Sequence, residues 1–373
     1  MSLKDMLDSL PIAIVQAPMA GSSPPQMAQA VREAGGLGFL ALAMTPPDEI
    51  EGQVEAFRGR SAAPFGVNLQ MAPEVSPDPA EVETAIARLK PWYEAVGAEP
   101  PSPPNRYSLD FKAQLAALTR AAPPVASFTF GVLSRAEVAA LKEAGTYVVG
   151  TATTVAEARA WAEAGADGIW AQGLEAGGHR GTFLKPVEES LVGTLALVAT
   201  IRAAVDLPVI AAGGIMDGRG VAAVLALGAS AAGMGSAFLL AEESLMGPVW
   251  RKAVSEAGDD PTALTRAFTG RHARGVENRF MREMKAVEDE VPAYPVQYRL
   301  SQPLRAAAEK AGDPGAMPLW AGQGIGLART GGAGALVKQW WNEARQAAAE
   351  VSARTRGGPG GVAAIETDPE AGC

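Results

Sequence analysis

The sequence predicts an α/β fold: eight parallel strands closed into a (β/α)8 TIM barrel, with a helical cap and insertion region. Three observations predict it. One phrase recurs along the chain: an Ala-rich amphipathic segment, then Gly, then a short apolar run. The apolar runs number eight, the strand count of a closed barrel. Glycine-rich turns follow the last two runs, where such barrels usually place a phosphate site.

The phrase is clear in Val31-Arg32-Glu33-Ala34-Gly35, Leu141-Lys142-Glu143-Ala144-Gly145, Trp161-Ala162-Glu163-Ala164-Gly165 and Leu225-Ala226-Leu227-Gly228. Glycine there accepts the left-handed conformation that ends a helix. The strand that follows is apolar without alternation because helices cover a parallel sheet. Taken in order, the strands fall at residues 12–17, 37–41, 65–69, 125–129, 147–149, 168–171, 209–212 and 231–234. Several intervening helices open at a plausible cap, namely Ser134, Thr153 or Thr154, and Asp217. An open doubly wound sheet is the alternative for such alternation, but no early Gly-x-Gly-x-x-Gly follows the first strand.

The barrel is expected to use residues 8–71 and 121–241. Residues 72–120 form an insertion between the third and fourth strands, with prolines at Pro100, Pro101, Pro103 and Pro104. Residues 242–330, helix-like and rich in Arg, Glu and Met, are expected to return over the mouth as a helical cap. A C-terminal helix is expected at 331–351. From 352 to 373 the chain is rich in Gly and Pro and lacks a core pattern, which predicts a disordered tail.

Bulk properties exclude several functions. The chain of 373 residues carries a formal charge of −9 and has no Lys/Arg block, which argues against nucleic acid as a partner. Its one cysteine, Cys373, can form neither an internal disulfide nor a metal cluster, and fits a reducing cytoplasm. Lys4, Asp5 and Asp8 precede any apolar run, unlike a secretory signal. Residues 221–241 are uncharged and long enough to span a bilayer. However, Gly228 and Gly233-Met234-Gly235-Ser236 would interrupt a single helix, so a buried helix and strand explain the segment better. A soluble, cytoplasmic protein is expected.

The chemistry should lie at the C-terminal ends of the strands. Ala211-Ala212-Gly213-Gly214 follows the seventh strand and Gly233-Met234-Gly235-Ser236 the eighth. Glycines there let backbone N–H groups surround a phosphate. Asn68, Ser127, Thr129 and Gln172 put polar groups at other strand ends, and Asn and Gln amides suit a flat heteroaromatic ring. The chain has two histidines. His179 follows the sixth strand behind Gly177-Gly178, placed to accept a proton near neutral pH. A histidine merely bonded to backbone is the plainer alternative. His272 lies outside the repeat, and neither histidine has the spacing of a metal site.

Together these residues resemble the class I nitronate monooxygenases. The resemblance is carried by Gln16-Ala17-Pro18-Met19-Ala20-Gly21, Gly66-Val67-Asn68, the run from Gln172 to Gly181, Ala211-Ala212-Gly213-Gly214-Ile215, Gly233-Met234-Gly235-Ser236 and Pro318-Leu319-Trp320-Ala321-Gly322-Gln323-Gly324. It implies FMN, held by Pro18, Met19, Asn68, Gln172, Gly177, Gly213 and Gly214, with its phosphate on Gly233, Met234, Gly235 and Ser236. It implies that His179 faces the substrate, either as a base toward a neutral nitroalkane or as the group that positions a nitronate. Ser127, Arg180 and Gln323 are the remaining expected substrate contacts. The implied partners are a small nitronate or nitroalkane and O2, the products a carbonyl compound and nitrite, and an oligomer is compatible with the sequence. The chain departs from the family at Ser22-Ser23-Pro24-Pro25 and at His272, both of which bear on the substrate pocket. FMN-dependent NAD(P)H reductases, such as the enoyl-acyl-carrier-protein reductases, share a similar Gly-Gly-His loop and are the competing reading.

Overall fold

Short apolar runs separated by capped helices assemble into one sheet in a computed structural model that describes residues 1–258 and 261–356. Its strands are β1 (Ile14–Gln16), β2 (Phe39–Ala41), β3 (Gly66–Gln70), β4 (Val125–Thr129), β5 (Tyr147–Ala152), β6 (Gly168–Gln172), β8 (Val209–Ala212) and β9 (Ala231–Met234). All are parallel, in the order β1-β9-β8-β6-β5-β4-β3-β2. A parallel bridge between Val15 and Leu37 brings the first edge to the last and closes the barrel. The short β7 (Gly178–His179) lies outside that sheet.

Period-2 alternation sorts each strand's side chains into two layers. Val15, Phe39, Val125, Val149, Trp170 and Ile210 pack inside the barrel, where Leu3, Met6 and Leu7 of α1 (Leu3–Asp8) plug one end. Ile14, Leu40, Val67, Ala126, Val148, Ile169 and Val209 face the surrounding helices. Those helices are α2 (Pro25–Ala34), α3 (Pro47–Arg58), α5 (Phe111–Ala121), α6 (Arg135–Glu143), α7 (Val155–Ala164), α8 (Thr194–Ala204) and α9 (Gly218–Ala226). Ser134, Thr154 and Asp217 cap three of them through their side chains, as the sequence predicts. Residues 221–241 resolve into the end of α9 followed by β9, and among the described residues no helix is long and apolar enough to cross a membrane.

A second core builds the cap from α4 (Pro79–Ala95), α10 (Pro248–Ser255), α11 (Arg279–Met284) and α12 (Val296–Ala311). Three details differ from the sequence reading. The 72–120 insertion divides, because α4 joins the cap core whereas Leu115, Ala117 and Leu118 of α5 pack into the barrel layer. The cap is not wholly helical: β10 (Thr262–Thr265) and β11 (Ala273–Val276) pair antiparallel, and β11 pairs with β7. Finally, α13 (Ala333–Thr355) runs past residue 351 with its Trp340 against Phe238 of the barrel layer. The expected tail thus begins as helix, and its part from 357 onward lies outside the described residues.

Candidate active site

The loops after the strands enclose a cavity of about 700 Å³ between barrel and cap. Pro18 and Met19 line it from β1, Asn68 from β3, Ser127 from β4, and Gln172, Gly177 and His179 from β6 and its loop. Gly213, Gly214, Gly233, Gly235 and Ser236 line it from β8 and β9. Three expected contacts do not reach it. Met234 is wholly buried in the strand–helix layer because its side chain points away from the barrel axis. Gln323 is held by its backbone, whose N–H donates to the carbonyl of Glu175 at 3.0 Å.

Arg180 is the third, and here the structure corrects the expected substrate contact. Its side chain is fully buried under the loop. Nη1 donates to the carbonyl of Gly173 at 2.6 Å, and Nη2 to those of Gln172 and Ser190 at 3.3 and 3.2 Å. Burial, with Arg274 nearby, pulls its pKa down to about 10, which still leaves a cation at neutral pH. Arg180 therefore ties together three carbonyls of the loop, of which that of Gly173 also accepts from the N–H of Ala176 at 3.2 Å. Gln172 does the complementary work: Nε2 donates to the carbonyl of His179 at 3.0 Å, and Oε1 accepts from the N–H of Gly181 at 2.7 Å.

His179 is thereby fixed from two sides, since its backbone also pairs with Ala273 of β11. Its Nε2 lies 3.0 Å from Thr269 Oγ1. That hydroxyl also lies 2.9 Å from the carbonyl of Arg271, and when it donates there it accepts from His179. This arrangement puts the imidazole proton on Nε2 and leaves Nδ1 without a hydrogen-bond partner among the described residues. The rings of Phe130, Tyr294 and Trp320 surround the imidazole at centroid distances of 5.7, 5.8 and 5.8 Å. Burial, then the guanidinium groups of Arg271 and Arg305, push its pKa down to about 3, so the ring is neutral at pH 7. Phe130 holds a positive φ of 80°, a strained conformation for a bulky residue, with Arg271 Cζ 4.0 Å from its ring centroid.

The residues fit a flavin phosphate. Ser236 Oγ accepts from the N–H of Gly322 at 2.8 Å, which leaves its own proton free for an anion. Gly213 and Gly214 take φ of 120° and 70°, turning the β8 loop as only glycine readily does. At Gly178 a Cβ would meet nothing within 4 Å, so the cavity comes directly against backbone. Asn68 Nδ2 donates to Ser127 Oγ at 3.0 Å, which ties two of the polar strand ends together. Among the described residues no group of three His, Cys, Asp or Glu could hold a metal.

Sequence reasoning missed the cap wall. Tyr294, Tyr298, Arg305 and Trp320 all line the cavity, while Thr269 backs His179. Tyr298 and Arg305 lie on α12, whereas Tyr294 precedes its first residue, Val296, so no helical spacing in the sequence marks them together. His272 is half-buried, does not line the cavity, and approaches Glu188 at 3.7 Å.

The model of the nitronate monooxygenase family matches residues 2–343. A probable nitronate monooxygenase of Staphylococcus aureus (strain MSSA476) is 40% identical over 339 residues, covering 91% of this chain and 96% of that one. The solved nitroalkane oxidase from Streptomyces ansochromogenes superposes with a TM-score of 0.86 at 45% identity, covering 93% of this chain and 99% of that one. FabK from Thermotoga maritima is similar at a TM-score of 0.71 and 28% identity, covering 94% and 98%.

Proposed function

The chain belongs to the nitronate monooxygenase family of oxidoreductases, and from that membership we propose that it uses FMN to oxidise alkyl nitronates with O2, giving carbonyl compounds and nitrite. One observation carries the preference for a nitronate: the neutral His179 sits in the field of two guanidinium groups, Arg271 and Arg305. Taking a proton from a neutral nitroalkane would place a third cation there. Binding a substrate that is already an anion relieves the same field. Nitroalkanes remain the slower substrates, with His179 Nδ1 as the atom that accepts their proton.

FMN, when bound, supplies the redox chemistry. Ser236, Gly233 and Gly235 would hold its phosphate, and Pro18, Met19, Asn68, Gly177 and Gly214 would border its ring. The chain's own side chains do the rest. Gln172 and Arg180 fix the loop that carries His179. Phe130, Tyr294 and Trp320 close around the imidazole and exclude water from the reacting carbon.

The test is to mix the purified protein with an alkyl nitronate while following oxygen uptake and nitrite release, with the visible spectrum recorded beforehand. A yellow protein that consumes oxygen and releases nitrite is expected. A colourless protein that FMN cannot reconstitute overturns the cofactor. Oxidation of NADPH with an enoyl thioester, while nitronate goes unused, overturns the substrate class.

A further inference from the structure

Arg305 has more hydrogen-bond donors than the protein uses. On α12, its Nη2 donates to the carbonyl of Tyr298 and to Ser301 Oγ, both at 3.1 Å. Its Nε is buried without an acceptor, and among the described residues no acceptor meets Nη1. No carboxylate pairs with it among the described residues; burial lowers its pKa, and the nearest ionisable neighbours are the phenols Tyr298, Tyr93 and Tyr294. Glu309, one turn along α12, lines the same cavity but is not among those groups. Protein encloses the guanidinium except where it lines the cavity.

A purely structural role is the alternative. Pro303 interrupts the hydrogen bonding of α12, and Nη2 helps to hold that turn. That role accounts for one nitrogen. It leaves Nε orphaned and a half-buried positive charge without compensation, which is costly unless a ligand brings the countercharge. The plane of the guanidinium is set by Tyr298, whose ring centroid lies 4.5 Å from Cζ. Tyr294 links this group to the reacting end of the cavity, its ring 5.8 Å from those of both Tyr298 and His179.

The geometry points to Arg305 as the anchor of an anion subsite in the cap wall, which takes a planar oxyanion of the substrate, a nitronate or a carboxylate group. Guanidinium suits such groups because it is always charged and presents planar donors. The nitronate reading supplies only the identity of the reacting group.

The test uses the full chain with its cofactor and sodium nitrate as the probe, a planar monoanion that is not a substrate. Binding is followed by the fluorescence of the cavity tryptophans, Trp170, Trp250 and Trp320. Arg305→Gln removes the charge and keeps a polar amide at the position of Nε, and is expected to weaken nitrate about tenfold or more. Arg305→Lys keeps the charge and is expected to lose less. Unchanged nitrate affinity in Arg305→Gln overturns the subsite. Should that variant not fold, nitrate located in crystals of the unaltered protein decides: within hydrogen-bond reach of Nε or Nη1 it supports the subsite, elsewhere it overturns it.

Kinetics then name the source of the charge. A fall in kcat/KM for propyl-2-nitronate in Arg305→Gln identifies the reacting nitronate itself. Unchanged kcat/KM with lost inhibition by propionate identifies a separate carboxylate, and both results support the subsite. Nitrate bound at Arg305 in a protein that leaves nitronate unoxidised defeats the proposed function and leaves the subsite standing.

Discussion

His179 Nε2 lies 3.0 Å from Thr269 Oγ1, and the second bond of that hydroxyl, 2.9 Å to the carbonyl of Arg271, decides which of the two donates. A carbonyl only accepts, so a hydroxyl proton given to it leaves the imidazole to carry its own on Nε2. Thr269 is thus a positioning residue that selects the tautomer. Long-range nitrogen–proton NMR of histidine-labelled protein should show a protonated Nε2 and a bare Nδ1 for His179. With two histidines in the chain, His272→Asn makes the assignment. Thr269→Val should populate both tautomers and slow turnover of neutral nitroalkanes by about tenfold, with Thr269→Ser restoring both properties. A proton found on Nδ1 in the unaltered protein refutes the assignment.

The charge of His179 makes a second expectation, whose sign follows from burial. Its folded-state pKa of about 3 lies below the ordinary 6.5, so between those values the unfolded chain binds the proton that the folded one refuses. The stability this contributes is fully present above pH 6.5 and is lost as pH falls toward 3. Denaturant unfolding should show a slope in that window, and His179→Gln should flatten part of it. In ligand-free protein the His179 resonances should stay constant from about pH 8 to about pH 5. Titration of His179 near pH 6.5 would rule out the enclosed, cationic setting described above.

Most of the barrel was legible because its signals are local. A Gly after an amphipathic segment, a capping Ser or Thr, and a short apolar run each act over a few residues, and so do the glycine turns after β8 and β9. The same holds for His179, whose flanking Gly177-Gly178 marks a loop in close contact with other backbone. What escaped depends on distant pairing. Thr262–Thr265 and Ala273–Val276 become strands only because β7 offers an edge to complete the small sheet. Arg180 looked like a substrate contact from its place beside His179, yet the one-residue step that turns His179 to the cavity turns Arg180 beneath the loop. Arg305 and Tyr294 reach the site from the segment expected to cap the mouth, but its pattern does not say which of its residues face the cavity.

Adjacent glycines in the His179 loop should respond differently to alanine. At Gly177 a Cβ would stand 2.5 Å from the backbone nitrogen of Gly322 and 2.6 Å from the carbonyl carbon of Ala321, neither of which can yield alone. Gly177→Ala should push the returning segment off the loop and destabilise the protein by about 2 kcal/mol or more. Gly178 has open space, so alanine there meets only its φ of 72°, a strain of roughly 1 kcal/mol. Chemical denaturation of both variants checks the ranking, and equal losses would show that backbone conformation, not the approach of residues 321–322, governs the loop.

Arg180 offers the sharpest contrast between supporting the loop and touching substrate. Its guanidinium serves the carbonyls of Gly173, Gln172 and Ser190, which no shorter or unforked side chain can satisfy together. Arg180→Met should remove a charged donor from all three, leaving Gly173 with the N–H of Ala176, and cost about 3 kcal/mol of stability. Arg180→Lys should recover part of that, since an ammonium can reach one or two of the three. Because Gln172 and His179 ride on the same loop, both variants should lower kcat more than they raise KM. A substrate contact would give the reverse: near-normal stability in Arg180→Lys with a raised KM. Measuring unfolding and steady-state kinetics on the same preparations separates the two roles, and the burial of Arg180 commits the structure to the first.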